Sequence, residues 1–197
     1  MSAAVRRLWR DCRGGPAAEF ALVLPLLILF LFGIIDVGRL MWTWNQAEKA
    51  AQMGVRLAVV SAPVASGLTS YSYAVAGTVP QGNVVPQSLF GGISCNNTTC
   101  ACLNQGGTCP FGTARDPSPF NKIQQRMQAM KGDIAAANIV IDYTYSGLGF
   151  AGDPNGPDVA PLVTVKLQNL TFAPMILFGG TISLSAFSST LTMEGSA

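Results

Sequence analysis

The residues from Phe20 to Ile35 form an apolar block of sixteen residues that contains no charged side chain. An α-helix needs roughly 20 apolar residues to cross a bilayer, so the block is slightly shorter than a full span. A helix this uniformly apolar offers water no polar face, unlike the surface helix of a soluble domain. The block therefore predicts a transmembrane segment over about 20–35.

The charges on either side of the block predict its orientation. Residues 1–14 hold four arginines against one acidic residue, whereas the twenty residues after the block hold only Arg39 and Lys49 as basic groups. Basic flanks stay on the cytoplasmic side of a membrane. We therefore expect a cytoplasmic leader, a single pass, and everything after Asp36 on the far side. Nothing after Ile35 resembles the small-residue site at which a secretory signal is removed.

A helical pattern continues beyond the apolar block. Apolar residues recur at three- and four-residue steps as far as Ala58, with polar residues between them, which is typical of an amphipathic helix. We predict one helix over 15–61, roughly 65 Å long, that ends before Pro63. Trp42 lies where aromatic side chains anchor at a membrane surface, and Trp44 fits either that role or a place in the core.

The composition argues against an enzyme and against binding of nucleic acid. The chain has no histidine, which removes the commonest general base and the commonest metal ligand. No nucleophile-elbow, phosphate-loop or zinc-protease motif is present, and no paired carboxylates suggest a glycosidase. Outside the basic leader the net charge is slightly negative, so no basic surface is left for nucleic acid. We expect no catalytic residues, no cofactor and no metal.

Residues 62–117 are rich in Gly, Ser, Pro and Asn and contain four of the five cysteines. These four are Cys95, Cys100, Cys102 and Cys109; the fifth, Cys12, lies in the leader. Exported thiols meet an oxidising compartment, so we predict two disulfides that tie down a loop without a core of its own. A Cys100–Cys102 bond would close a strained ring, so each of these two is expected to pair with Cys95 or Cys109. A zinc site is the alternative, although the spacing does not resemble zinc knuckles. Short apolar pieces at 73–79 and 83–85 are candidates for edge strands.

Regular structure is predicted again over 118–197. Ser118 and Pro119 are typical of a helix start, Ile123, Met127 and Met130 give a buried stripe, and Gly132 ends it. Alternating apolar residues predict strands at 139–145, 162–167 and 182–193, which form a three-stranded antiparallel set. Residues 172–178 contain Pro174 and are expected to cross over without forming a strand. The turn cluster 153–158 predicts a hairpin loop, with a calcium site as the alternative.

Glu19 stands at the edge of the apolar block, five residues after Gly14. One interpretation is an interfacial carboxylate that marks where the membrane begins. The arrangement also resembles the prepilin-peptidase signature of type IV pilin-like proteins: a basic leader, a Gly before the cut, a Glu five residues later and an apolar helix. A cut between Gly14 and Gly15 would make Glu19 the fifth mature residue. Its carboxylate could then pair with the new amino group of a neighbouring subunit.

The residues Gly15–Leu27, followed by Gly33-Ile34-Ile35-Asp36-Val37-Gly38-Arg39, resemble the N-terminal signature of the TadE family. TadE-like proteins are minor pseudopilins of tight-adherence (Flp-type, type IVc) pilus systems. The resemblance covers roughly 13–60 and is weak beyond. The chain has Glu19-Phe20 where pilins of this system carry Glu-Tyr, and Pro16 lies close to the cut.

The resemblance implies an α+β, pseudopilin-like fold with a long N-terminal helix and a small antiparallel sheet domain. It implies an assembly role at Glu19 and Phe20, with a prepilin peptidase, other minor pseudopilins and pilins, and the inner-membrane platform as partners. The protein is then expected in the inner membrane or the pilus, with its C-terminal domain periplasmic or extracellular. The alternative is an uncleaved, single-span envelope protein whose disulfide-bonded domain binds an external ligand.

Overall fold

The apolar block and the amphipathic stretch after it form one continuous helix, α1, from Gly15 to Val60 in the computed structural model of the protein. The structure describes residues 15–154, 156–175 and 180–194. Pro25 lies inside α1 without ending it, as proline can in a helix surrounded by lipid. The single long helix predicted from the sequence is confirmed.

The described residues fall into two compact units. We call the first the helix unit; it consists of α1 as far as Trp42 together with the segment Phe172–Ile182. The second, the sheet unit, consists of Thr43–Thr171 and the residues from Ser183 onward. Because α1 is continuous, its apolar half belongs to the helix unit and its amphipathic half to the sheet unit.

An antiparallel sheet of five strands, in the order β2-β1-β3-β4-β7, forms the centre of the sheet unit. Its strands are β1 (Ile93–Cys95), β2 (Cys100–Cys102), β3 (Ile139–Thr144), β4 (Leu162–Leu167) and β7 (Phe187–Thr192). Two short strands, β5 (Thr171–Phe172) and β6 (Ile182–Ser183), pair with each other. The predicted α+β class and the antiparallel set β3-β4-β7 are confirmed, but the predicted strand over 182–193 is interrupted between β6 and β7.

One face of this sheet forms the core under the second half of α1. On β3, Ile139, Ile141 and Tyr143 are fully buried, and they pair in register with the equally buried Leu167, Val165 and Val163 of β4. The helix approaches closely: a Cβ on Gly54 would lie 3.3 Å from a Val165 methyl carbon. Trp44 meets Phe187 edge to face at 4.8 Å, but 40% of its surface remains exposed, so it packs at the edge of the core.

The helix predicted from Ser118 begins slightly earlier, as α3 (Pro117–Gln128). Its N-cap is Asp116, whose carboxylate accepts a hydrogen bond from the Ser118 backbone N–H at 2.8 Å. The prediction that Ser118 is the N-cap is therefore wrong. The residue before a proline is held in extended geometry, and that is the geometry an N-cap needs. Ile123 and Met127 are buried as predicted, but the helix ends before Met130 and Gly132.

The region 62–117 has more order than its composition predicts. It contains a one-turn helix, α2 (Gly67–Ser70), and contributes β1 and β2 to the main sheet. Neither 73–79 nor 83–85 forms a strand, so that expectation is wrong. The expected loop without a core is also wrong, because Ile93 and Cys95 of β1 are fully buried. Three-residue strands are too short for alternation to reveal them.

Candidate membrane and subunit-contact site

The residues predicted to act in processing and assembly lie at the start of α1. Gly15 is the first residue of the helix, so Glu19 lies just beyond its first turn. Glu19 is exposed, and Phe20 leaves 65% of its surface uncovered. Gly14, on the other side of the predicted cut, lies outside the described residues. The chain itself therefore leaves both Glu19 and Phe20 open to another molecule.

The apolar half of α1 is almost entirely uncovered by the rest of the chain. Leu22, Leu26 and Phe30 have exposed fractions of 80%, 75% and 70%. A stretch of 18 residues within this helix has a mean hydropathy of 2.7, and 6% of that stretch is covered by the rest of the described chain. So much exposed apolar surface is unfavourable in water and favourable in lipid or against other apolar helices. The length and composition of α1 are those of a single-pass membrane anchor.

A shallow groove of about 380 Å³ runs along one side of this apolar surface. It is lined by Leu29, Phe30, Gly33, Ile34 and Val37. Gly33 lowers the helix surface between larger side chains, and small residues allow membrane helices to approach each other closely. The groove is therefore a place where a second membrane helix could pack.

Asp36 is a buried carboxylate at the end of the apolar block, and only 4% of its surface is exposed. Its neighbours Ile35 and Val37 remain 44% and 53% exposed, so one side of the helix is covered at this level. The carboxylate oxygens accept the backbone N–H of Met175 at 3.0 and 3.1 Å, and the Arg39 guanidinium lies 3.3 Å away. Arg39 in turn lies 5.4 Å from the centre of the Phe172 ring.

Asp36 was predicted only as the residue at which the apolar block ends, and its buried contacts were not predicted. A carboxylate next to sixteen uncharged residues is nevertheless a signal that the sequence contains. Charged groups near a bilayer are retained when they have partners. Here one partner, Arg39, is near in the chain, but the other, the backbone N–H of Met175, comes from 139 positions later.

The four cysteines predicted to be oxidised form two disulfides, Cys95–Cys100 and Cys102–Cys109. The first joins residues directly opposite each other on β1 and β2, with Cα atoms 4.0 Å apart. The second ties the end of β2 to the loop that follows, over 6.1 Å. All four thiols are used, so the zinc alternative has no free thiolates in this arrangement.

A polar groove of about 460 Å³ opens on the sheet unit. Thr69, Ser70, Tyr71 and Ser72 line it together with Asp153 and Asp158. Asp158 is buried and accepts the backbone N–H of Tyr73 at 2.6 Å and the Ser72 hydroxyl at 3.2 Å. Burial, with the nearby Tyr71 and Asp158, raises the pKa of Tyr73 above its usual value. The Asp158 carboxylate thus holds the loop at Ser72 and Tyr73 in place, and we assign it a structural role and not a catalytic one.

The calcium alternative finds no support at the turn cluster 153–158. Within the described ranges, no three His, Cys, Asp or Glu side chains come together in a way that could hold a metal ion. Two of the three oxygen-bearing residues, Asp153 and Asp158, line the polar groove, and the third position, 155, lies outside the described residues. The cluster serves as the loop between β3 and β4.

Residues 14–56 match the family model described as TadE-like protein. The N-terminal region is TadE-like. The match begins one residue before α1 and ends within its amphipathic half, and it confirms the resemblance inferred from the signature. No curated protein and no solved structure matches the chain. The TadE-like region and the exposed apolar helix together indicate a membrane-anchored protein associated with a Tad pilus. TadE-like proteins are not a family of enzymes.

Proposed function

We propose that the protein is a minor pseudopilin of a tight-adherence pilus or secretion machine, without catalytic activity of its own. The observation that carries the proposal is the TadE-like match, which begins at Gly14 and covers a helix whose apolar half is uncovered. A helix that only anchors a domain needs an apolar surface. A pseudopilin needs in addition a processed N-terminus and a carboxylate near it, and Gly14 and Glu19 supply the expected residues.

Processing would occur between Gly14 and Gly15 by a prepilin peptidase on the cytoplasmic side. The new ammonium group would lie at the edge of the membrane, four residues before Glu19. Within one straight helix the two groups are about 6 Å apart along the axis. When subunits pack side by side, the exposed Glu19 of one can neutralise the amino group of another, which avoids an unpaired charge among apolar helices.

The partners follow from the exposed helix surface. We infer that the groove at Gly33 receives the apolar helix of another minor pseudopilin or of a pilin, and that Phe20 contributes to the same contact. The inner-membrane platform is then the natural place of assembly. The two disulfides agree with an extracytoplasmic sheet unit, in the periplasm or on the pilus, because such bonds persist in oxidising compartments.

A second function is favoured by one observation, the polar groove of about 460 Å³ on the sheet unit. Its hydroxyl groups fit a polar ligand, as expected for an uncleaved envelope protein that binds a ligand with its outer domain. The mature N-terminus distinguishes the two functions, because only the pseudopilin has to be processed.

The test is the intact mass of the full chain co-expressed with a prepilin peptidase from a tight-adherence system. We expect the loss of the first fourteen residues, and we expect Gly14→Leu to abolish this loss. The matched control is the same chain with a catalytically inactive peptidase. An unshifted mass with active peptidase would favour the uncleaved binding protein.

A further inference from the structure

The segment Phe172–Ile182 belongs to the helix unit, although the sequence on both sides of it belongs to the sheet unit. The first four residues of this segment, 172–175, read Phe-Ala-Pro-Met and carry no charge. Among the described residues of this run, Met175 leaves 69% of its surface uncovered. A run of this kind on a surface that faces water would be unfavourable, so its surroundings need an explanation.

The contact between Met175 and Asp36 fixes the level of this segment along α1. The Asp36 carboxylate accepts the Met175 backbone N–H with both oxygens, at 3.0 and 3.1 Å. Asp36 directly follows the sixteen uncharged residues that form the membrane segment. Met175 therefore lies at the point where the hydrocarbon region ends.

A second contact holds the segment at the same level. Phe172 is buried, and the Arg39 guanidinium lies 5.4 Å from the centre of its ring, within the range of a cation–π interaction. Trp42, 67% exposed, follows Asp36 by six residues, which is about 9 Å along a helix. Aromatic residues such as Trp42 prefer the headgroup region, so Met175 lies between that region and the hydrocarbon.

We propose that residues 172–175 form a second membrane contact, a short apolar loop segment that enters the lipid interface beside α1 and is held there by Asp36. The occupant of the exposed surface is lipid, because the surface continues the apolar surface of the membrane segment at its outer end. Asp36 accepts the Met175 backbone N–H and forms an ion pair with Arg39. These polar groups therefore have partners at the membrane surface, where little water is available. A single helix in lipid is free to tilt and rotate, whereas two membrane contacts would restrict the tilt and rotation of α1.

This inference requires α1 to lie in a bilayer, but it does not require cleavage or pilus assembly. It can be tested with the full chain in vesicles of phosphatidylethanolamine and phosphatidylglycerol. In a Cys12→Ser background, with the other four cysteines oxidised, a nitroxide label is attached at Met175→Cys. Electron paramagnetic resonance then compares its collisions with oxygen, which concentrates in lipid, and with a water-soluble nickel complex.

Two labelled control positions calibrate the measurement. Leu26→Cys reports the membrane segment, and Val75→Cys reports an exposed apolar residue of the sheet unit, 89% uncovered. We expect the oxygen-to-nickel ratio at Met175→Cys to exceed that at Val75→Cys several-fold and to approach that at Leu26→Cys. A low ratio like that at Val75→Cys would overturn the proposal. A label shielded from both reagents would also overturn it, in favour of a protein occupant. A low ratio at Leu26→Cys would instead contradict membrane anchoring itself.

The role of Asp36 is tested by a second variant in the same vesicles. Asp36→Ala removes the acceptor of the Met175 N–H, so the ratio at Met175→Cys should fall towards that at Val75→Cys while the ratio at Leu26→Cys stays unchanged. Asp36→Asn keeps one amide oxygen as an acceptor and should have a smaller effect. An unchanged ratio at Met175→Cys in Asp36→Ala would overturn the assignment of Asp36 as the residue that holds the loop.

Discussion

Glu19 occupies a position where one residue can distinguish anchoring from assembly. It is exposed near the start of α1, ahead of sixteen uncharged residues, and no partner in the described part of the chain needs it for folding. Loss of its carboxylate should leave membrane insertion intact or make it slightly easier, since charge at the bilayer edge is unfavourable. Any effect on pili would then come from contacts between subunits.

We predict that Glu19→Ala yields a processed, membrane-resident protein that no longer supports pili or co-purifies with its partner pseudopilin. Removal of one partner from a buried charge pair costs about 3–5 kcal/mol, less where water reaches the pair. Even about 1.4 kcal/mol shifts an equilibrium tenfold. Counting pili by electron microscopy and measuring co-purification provide the readout, with Glu19→Asp as the control that keeps the charge. Normal piliation of Glu19→Ala would contradict the pairing mechanism.

Tyr143 connects the centre of the sheet to the chain leaving α1. Its hydroxyl oxygen accepts the backbone N–H of Val64 at 2.9 Å in the core of the sheet unit. Burial raises the pKa of Tyr143 from 10.0 to about 12, although the Val64 hydrogen bond opposes this rise. The folded state thus retains this proton at pH values where the unfolded state has lost it. The stability it contributes is present below pH 10 and is lost as the pH rises towards about 12.

We predict that Tyr143→Phe lowers the free energy of unfolding at neutral pH by about 1–3 kcal/mol, because the Val64 N–H is left buried without an acceptor. The variant should also lose less stability than the wild type between about pH 10 and pH 12, since a tyrosine with a raised pKa is missing. Urea unfolding in detergent, followed by tryptophan fluorescence, measures both effects. Equal losses of stability on raising the pH would argue against a buried, protonated Tyr143. Tyr73→Phe is a suitable comparison, because burial also raises the pKa of Tyr73.

At the scale of elements, the two halves of α1 face different surroundings although they form one helix. In the second half, Ala47, Ala50, Ala51 and Ala58 are buried, with exposed fractions of 0–1%, and Gly54 lies between them. A Cβ on Gly54 would lie 2.9 Å from the Cγ and Sδ atoms of Met127 on α3. These small residues let the helix lie close to the sheet and to α3, where larger ones would force them apart.

We predict that Gly54→Leu destabilises the sheet unit by about 1–3 kcal/mol, as overpacking of a core usually does. The matched control is Gly38→Leu in the same helix, where an added Cβ meets no atom within 4 Å. There the better helix propensity of leucine should make the change neutral or slightly stabilising, by up to about 1 kcal/mol. Thermal unfolding in detergent compares the two. Equal melting temperatures for both variants would be inconsistent with the close approach at Gly54.

For the whole molecule, the charges and the disulfides make the same prediction about topology. Arginines in the leader should hold the N-terminus in the cytoplasm, and two disulfides need an oxidising compartment for the sheet unit. These are independent physical effects, because one acts during insertion and the other after export.

We predict that alkaline phosphatase fused after Ala197 is active in cells and that the same fusion with a cytoplasmic fluorescent reporter stays dark. Replacing Arg6, Arg7, Arg10 and Arg13 by serine should reduce phosphatase activity, because the positive-inside bias is lost. Replacing Arg115 and Arg126 of the sheet unit by serine is the matched control and should change nothing. A fluorescent cytoplasmic reporter would show that the C-terminus lies in the cytoplasm and would contradict the predicted topology.

The disulfides provide a second measurement of the same topology. In the wild type, non-reducing alkylation should label none of the four cysteines in the disulfides.

The sequence by itself determined what depends on near neighbours in the chain. The length and uniform apolarity of 20–35 predicted the membrane segment, and three- to four-residue periodicity extended the helix to its observed end near Val60. Alternation predicted β3 and β4, since each is six residues long and buries every second residue, although Asp142 on the other face of β3 is buried as well. Spacing also singled out the four cysteines that form the two disulfides, and it predicted Gly14 and Glu19 as processing and assembly residues.

Tertiary structure alone decided the contacts between distant parts of the chain. The three-residue strands β1 and β2 depend on pairing with a distant strand, because β1 forms hydrogen bonds to β3 as well as to β2. No local sequence pattern predicts such short strands. The pairing of the cysteines follows from the register of that hairpin. Likewise, the burial of Asp36 depends on Met175, 139 residues away. The entropy cost of closing such a long loop is offset only when the rest of the fold brings its ends together. A local sequence pattern therefore cannot predict which distant residues come into contact.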